Sequence, residues 1–332
     1  MTLREKAERA AAAAFIDGIF KYIDKNPQEN LLKLMDKVWT FTGDTFPQKN
    51  REAMMNALKD ENNAYYHFAM NMLSDVDKRI LKNMILAAGL GAGVHGTREV
   101  RKNRDIYKCN IPFLILMDPT SACNLKCKGC WAAEYDRHSS LSYQEMHDIV
   151  SQGRELGTHI YMFTGGEPLM RKKDIIKLCE EFPDCAFLAY TNGTLIDEAF
   201  CDELLRVGNM TLALSIEGSE DVTDSRRGNG TYQKVLEAME ILKRKNILFG
   251  MSVCYTKDNV ESVTSDAFLD SMVEKGVKFG FYFNYMPVGH NSPASLIPTP
   301  AQREHMYKWI KKTRNGKTGK PLFVVDFQDD AA

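Results

Sequence analysis

The chain has 332 residues, enough for one large core or for a barrel with an accessory domain. With 44% hydrophobic and 26% charged residues it reads as soluble and globular, and a formal net charge of -1 gives no electrostatic basis for nucleic acid as an obligatory partner. The N-terminus mixes both charge signs ahead of a short alanine run, unlike an export signal, and the longest apolar stretch, 84–94, is too short and too glycine-rich to span a bilayer. A cytoplasmic location is therefore expected, and its eight cysteines are expected to stay reduced.

Residues 1–105 read as a helical domain. Phe15, Ile19 and Tyr22 with Ile16, Phe20 and Ile23 recur at helical spacing, and Pro27 opens a second helix carrying Leu31, Leu34, Met35 and Val38. A third helix over 52–73 carries Met55, Leu58, Tyr65, Phe68 and Met72, and Ser74 caps a fourth through Ile80, Leu81, Met84 and Ile85. Gly91, Gly93 and Gly96 match the Gly-x-Gly-x-x-Gly dinucleotide fingerprint, which needs a strand before it. A helical pattern precedes it instead, so the glycines read as a helix end and flexible connection; a second reading folds this segment over an active site as a hinge.

From Asn110 strands and helices alternate, the signature of parallel β/α architecture. Strands are expected at 112–117, 159–163, 186–190, 211–215, 248–255 and 277–285, with helices at 142–156, 173–182, 197–207, 231–245 and 259–274. This predicts an α/β fold, a partial (β/α)6 barrel over 106–290, with 291–332 as a C-terminal tail. In such barrels the chemistry gathers at the C-terminal ends of the strands.

After the first strand come Cys123, Cys127 and Cys130, spaced x₃ then x₂. Structural zinc wants four protein ligands in paired elbows, and no second Cys-x₂-Cys or His pair follows. A [4Fe-4S] cluster held by three thiolates leaves one iron open to an exogenous ligand. Cys109 is a candidate fourth ligand, which would close that iron, whereas Cys179, Cys185, Cys201 and Cys254 read as small buried side chains. After the second strand, Gly165 and Gly166 admit close backbone approach to a ligand and Glu167 offers a carboxylate to an ammonium group. Asn192, after the third, either faces a ligand or belongs to a routine Asn-Gly turn. Ser215 and Glu217, after the fourth, share one face and suit ribose hydroxyls. Arg227, chosen over Arg226, lies ahead of the fourth helix, where it pairs with a carboxylate or is simply solvated. Asn284, Tyr285 and His290 are candidates for substrate contacts beyond the sixth strand.

The cysteine triple with Gly165-Gly166-Glu167-Pro168 one strand later resembles the radical S-adenosylmethionine (radical SAM) superfamily over roughly 110–290. The resemblance implies that Cys123, Cys127 and Cys130 hold a [4Fe-4S] cluster and that Gly165, Gly166 and Glu167 bind the amino end of S-adenosylmethionine. It further implies that Ser215 and Glu217 hold the ribose, that Arg227 meets the methionine carboxylate, and that a flavodoxin- or ferredoxin-type protein supplies electrons. The reaction implied is reductive cleavage to a 5′-deoxyadenosyl radical that abstracts hydrogen from a substrate, with peptide or protein modification as the first guess and a lipid or small molecule as another. The family commonly has an aromatic residue just before the third cysteine; here that place is Gly129, so Trp131 supplies the ring from the other side or that wall of the adenine pocket is open. Residues 118–123 and 129–135 resemble members with an N-terminal helical extension and usually a C-terminal SPASM-type region for auxiliary clusters. No cysteine follows Cys254, so the expectation is that this region is absent, that the chain is truncated with 291–332 as the start of the missing region, or that a separate polypeptide supplies it. The competing readings are a non-catalytic iron-sulfur or zinc module and a truncated, inactive relative.

Overall fold

A Thr2 side chain that accepts from the Glu5 amide, while the Glu5 carboxylate accepts from the Thr2 amide, starts helix α1 (Leu3–Ile23). Ile16, Phe20 and Ile23 are its buried stripe; Phe15 and Tyr22 are exposed. In a computed structural model, which describes residues 1–42, 48–132, 138–288, 292–328 and 330, α2 (Pro27–Thr42) and α3 (Gln48–Lys59) follow. The single helix expected over 52–73 is divided, because Asn63 caps a new one, α4 (Ala64–Asp75). Asp77, not Ser74, caps α5 (Lys78–Met84).

The glycine-rich stretch departs from both sequence readings. It continues the helix as a widened π-helix, Ile85–Gly96, which runs into α6 (Thr97–Tyr107). A Cβ on Gly91 would stand 2.2 Å from the Asp184 carbonyl oxygen, and one on Gly96 would stand 2.5 Å from that of Gly157. The glycines thus let this helix press against backbone that leads into the second and third strands, at the end of the sheet opposite the cysteines. They are neither a flexible connection nor a cover over the candidate site.

The described residues form one parallel sheet in the order β1 to β7. Its strands are β1 (Leu114–Met117), β2 (Ile160–Phe163), β3 (Ala186–Thr191), β4 (Met210–Ser215), β5 (Phe249–Tyr255), β6 (Phe279–Asn284) and β7 (Phe323–Asp326). The intervening helices are α7 (Tyr143–Leu156), α8 (Lys172–Glu181), α9 (Glu198–Val207), α10 (Glu220–Arg227), α11 (Thr231–Arg244), α12 (Val260–Val263), α13 (Asp266–Glu274) and α14 (Pro300–Thr313). This is the expected partial barrel, a curled half-barrel, with a seventh strand drawn from the residues read as a tail. β7 pairs with β6 in register, Phe279 opposite Phe323 and Tyr282 opposite Asp326. The buried Tyr255 hydroxyl donates to Asp326 Oδ2 at 3.0 Å and ties the added strand to β5.

Alternation along the strands gives the sheet two faces. Tyr161, Phe163, Phe187, Phe249 and Tyr282 are fully buried under the helices, each such side chain stabilising by about 1.5–3 kcal/mol. Tyr282 packs edge-on against Trp309 of α14, ring centroids 5.1 Å apart. Its neighbours Phe281 and Phe283 turn the other way, into the lumen, and meet Tyr190 at 5.6 and 5.5 Å.

The N-terminal end of the sheet is closed. Asp77 donates its amide to the Asn246 carbonyl at 2.7 Å, Asn83 Nδ2 reaches the Val207 carbonyl at 3.1 Å, and Lys278 pairs with Asp75 at 2.5 Å. Arg154 joins Asp184 at 2.6 Å and Glu5 at 3.1 Å. These contacts fix α1, α4 and α5 beneath the strands, at the end of the sheet away from the cysteines.

Candidate functional site

At the opposite end, the chain leaves β1 through Asp118 and is pinned by Ser121, whose amide donates to the Ser139 carbonyl at 2.8 Å. The cysteine loop then crosses the strand ends. Asn124 donates to Thr194 at 2.7 Å and accepts from Asn192 Nδ2 at 2.8 Å. The Lys128 amide donates to the Arg226 carbonyl at 2.7 Å. Gly129 adopts a left-handed conformation, φ +67°, that favours glycine. Cys123, Cys127 and Cys130 are all half-buried thiols. Burial pushes Cys123 upward, with Glu167 and the other two thiols adding to it. Burial also raises Cys127, opposed by Arg227 and Arg226.

Gly165 and Gly166 also meet a packing constraint that the sequence did not show. A Cβ on Gly166 would lie 2.1 Å from the Ala122 carbonyl oxygen, and one on Gly165, φ +106°, would lie 2.7 Å from that of Thr120. The space is taken by the chain leading into the cysteine loop, and two hydrogen bonds, Gly166 amide to Thr120 and Glu167 amide to Ala122, seal the contact at 2.9 and 2.8 Å. The motif therefore sets the height of the cysteine loop over the sheet.

Four sequence-predicted side chains act as braces. Glu167, 1% exposed, accepts from the Leu169 amide, the Thr191 hydroxyl and the Asn192 amide at 3.0, 2.7 and 2.8 Å. Burial still raises its carboxyl above the ordinary value, because these donors are neutral and only partly offset desolvation. Asn192 holds Asn124 with its nitrogen and accepts both the amide and the hydroxyl of Thr194 with its oxygen. Glu217, fully buried, receives Arg226 at 2.6 Å and Arg227 at 2.5 Å, and the Cys254 amide at 3.1 Å. Burial alone would raise Glu217, but the two guanidiniums outweigh it and hold the carboxyl below its usual range. Both arginines come from α10, a helix where the sequence suggested a loop. One carboxylate against two guanidiniums leaves a surplus positive charge beside Cys127 and Cys254.

Ser215 differs from these. It lies next to Ser252 in the β4–β5 register, and its hydroxyl has no hydrogen-bond partner among the described residues. Asp118 was overlooked in the sequence, where Asp118-Pro119 marks only the end of a strand. Its carboxyl is raised by burial, it has no partner among the described residues, and its Cβ is 3.0 Å from where a Gly165 Cβ would be. A second omission is the aromatic lumen wall of Tyr190, Phe281, Phe283 and Phe327, the last with its ring centroid 5.0 Å from that of Phe283. The alternating Phe279, Phe281 and Phe283 were its signal. Cys109 is exposed and precedes β1, on the far side of that strand from Cys123. His290 lies outside the described residues. Trp131 is 47% exposed; the ring that meets Gly129 is Tyr285.

The donor set of the cysteine loop is all sulfur, the donor type that iron–sulfur clusters take. No described helix is long and apolar enough to cross a membrane.

Comparison with known proteins agrees with this geometry. The Radical SAM superfamily family model matches residues 117–269. An AdoMet-dependent heme synthase of Methanosarcina barkeri (strain Fusaro / DSM 804) is 28% identical over 211 residues, 62% of this chain and 59% of that protein. A serine-type anaerobic sulfatase-maturating enzyme of Klebsiella aerogenes is 28% identical over 54% of this chain and 47% of its own. The chain thus spans about half the length of the curated relatives it matches. In fold it is similar to Streptococcus suis SuiB bound to S-adenosylmethionine, with a TM-score of 0.57 and 17% identity over 69% of this chain and 54% of that one.

Proposed function

We propose that the chain, whose residues 117–269 match the Radical SAM superfamily model, is a member of that superfamily and that Cys123, Cys127 and Cys130 hold a [4Fe-4S] cluster that cleaves S-adenosylmethionine. The observation that carries this reading is a loop of three thiols fixed across the C-terminal strand ends by the Gly165–Gly166 turn. When bound, the reduced cluster supplies the electron that releases methionine and a 5′-deoxyadenosyl radical, which takes a hydrogen atom from the substrate.

The chain's own residues supply position. The Glu167 carboxylate accepts two hydrogen bonds on Oε1 and one on Oε2, which leaves an Oε2 lone pair, with the carbonyl oxygens of its turn, as acceptors for the cofactor's ammonium group. Ser215 offers its hydroxyl to the ribose. Arg226 and Arg227 supply the positive charge, and Arg227 remains the arginine assigned to the methionine carboxylate. The aromatic wall supports a substrate, peptide or small molecule, that presents an apolar group to the lumen. A flavodoxin- or ferredoxin-type protein is the proposed electron donor.

Anaerobic reconstitution, reduction with dithionite and chromatography of the products test this. The expected result is 5′-deoxyadenosine from the wild type and none from Cys127→Ala. A chain that takes zinc and no iron under reconstitution sinks the proposal.

A further inference from the structure

Tyr285 follows β6 directly, and its amide donates to the Tyr255 carbonyl at 3.0 Å, which fixes where its side chain starts. The residue is 2% exposed. A Cβ on Gly129 would stand 2.7 Å from its Cε2, 2.8 Å from its hydroxyl oxygen and 3.1 Å from its Cζ. The ring therefore occupies the space that any side chain at position 129 would need. Its hydroxyl is buried with no partner among the described residues.

A buried hydroxyl left unpaired costs about 1–3 kcal/mol, and phenylalanine would fill the same space without that cost. The hydroxyl is explained if an acceptor arrives with the group that the loop holds. It points at the residue preceding Cys130, and a cluster bound there brings thiolate and sulfide sulfurs, which accept hydrogen bonds. Resting on the function proposed above, we propose that Tyr285 is a positioning residue for the cluster. Its ring covers the third-cysteine side in place of a side chain at 129, and its hydroxyl donates a hydrogen bond to a cluster sulfur at Cys130. Such a bond stabilises the more negative, reduced cluster and so raises its reduction potential.

The test uses the full chain, reconstituted anaerobically, as wild type, Tyr285→Phe and Gly129→Ala. Iron and sulfide content are measured first. The midpoint potential is then titrated through the electron paramagnetic resonance signal of the reduced cluster. Tyr285→Phe is expected to load iron as the wild type does and to titrate at a more negative potential. Gly129→Ala pushes the hydroxyl from its place and is expected to shift the potential the same way, so it decides the matter if Tyr285→Phe does not fold. A wild-type four-iron cluster whose potential is unmoved in every folded variant overturns this inference alone. A wild type that takes zinc and no iron overturns it together with the proposed function.

Discussion

The two ends of the sheet use the same device for different purposes. At the N-terminal end Gly91 and Gly96 let a helix meet the backbone ahead of β2 and β3; at the C-terminal end Gly165 and Gly166 let a turn meet the backbone ahead of the cysteines. Ion pairs then lock the first contact, Arg154 to Asp184 and Lys278 to Asp75. The second contact carries a loop of thiols, a hydroxyl at Ser215 without a partner among the described residues, and an aromatic lumen wall. One end is a base, and the other is the frame of the candidate site. Glycine pairs alone do not distinguish them; the polar groups around each pair do.

Breaking the comparison takes one methyl group at each end. Gly166→Ala drives a Cβ into the Ala122 carbonyl, and overpacking of this kind costs about 1–3 kcal/mol or more. The expected outcome is loss of stability and of iron, read by chemical denaturation and by iron-to-protein ratio after reconstitution. Gly91→Ala meets an equally close carbonyl and is expected to lose similar stability, yet its folded fraction should bind iron at the wild-type ratio. Equal iron loss in both variants would show that the two ends are not separable.

Glu217→Gln leaves two guanidiniums beside Cys127 without their counter-charge, at a cost of about 3 kcal/mol. The pH dependence follows from the depressed carboxyl of Glu217. Its contribution to stability is complete above the ordinary glutamate pKa, about 4.3, and is lost as pH falls through the lower folded value. Denaturation midpoints of wild type and Glu217→Gln should therefore differ at neutral pH and converge in acid. A constant gap across that range would refute the assignment. The smallest effect is expected at the base, where Asn83→Ala removes one hydrogen bond to the Val207 carbonyl and should cost about 1 kcal/mol, with no change in cluster potential.

Much of the fold was legible because parallel strands buried under helices produce short apolar runs at regular intervals, as at 112–117 and 211–215. β7 was not legible in this way. Leu322-Phe323-Val324-Val325 is an apolar run, but only its pairing with β6 shows that it extends the sheet. At the site, the cysteine spacing and Gly165-Gly166-Glu167-Pro168 were plain in the sequence. What Glu167, Asn192 and Glu217 touch was not, because Thr191, Asn124 and Arg227, which hold them, lie 24, 68 and 10 residues away, on a strand, a loop and a helix. Tyr285 is the clearest case. Nothing local to Gly129 indicates that the missing ring comes from the far side of the barrel.

Spatial order in the sheet follows chain order without exception among the described strands. During synthesis each new strand therefore finds its neighbour already made, and the half-barrel can grow by addition at one edge. The cysteine loop cannot follow that schedule. Its supports at Asn192, Arg226 and Tyr285 emerge from the ribosome well after the thiols they position. The thiols thus wait, incompletely supported, until the sixth strand is in place. On the function proposed above, loading of the cluster belongs to a chain whose sixth strand has formed, and oxidation of the loop before then is the hazard its maturation must avoid.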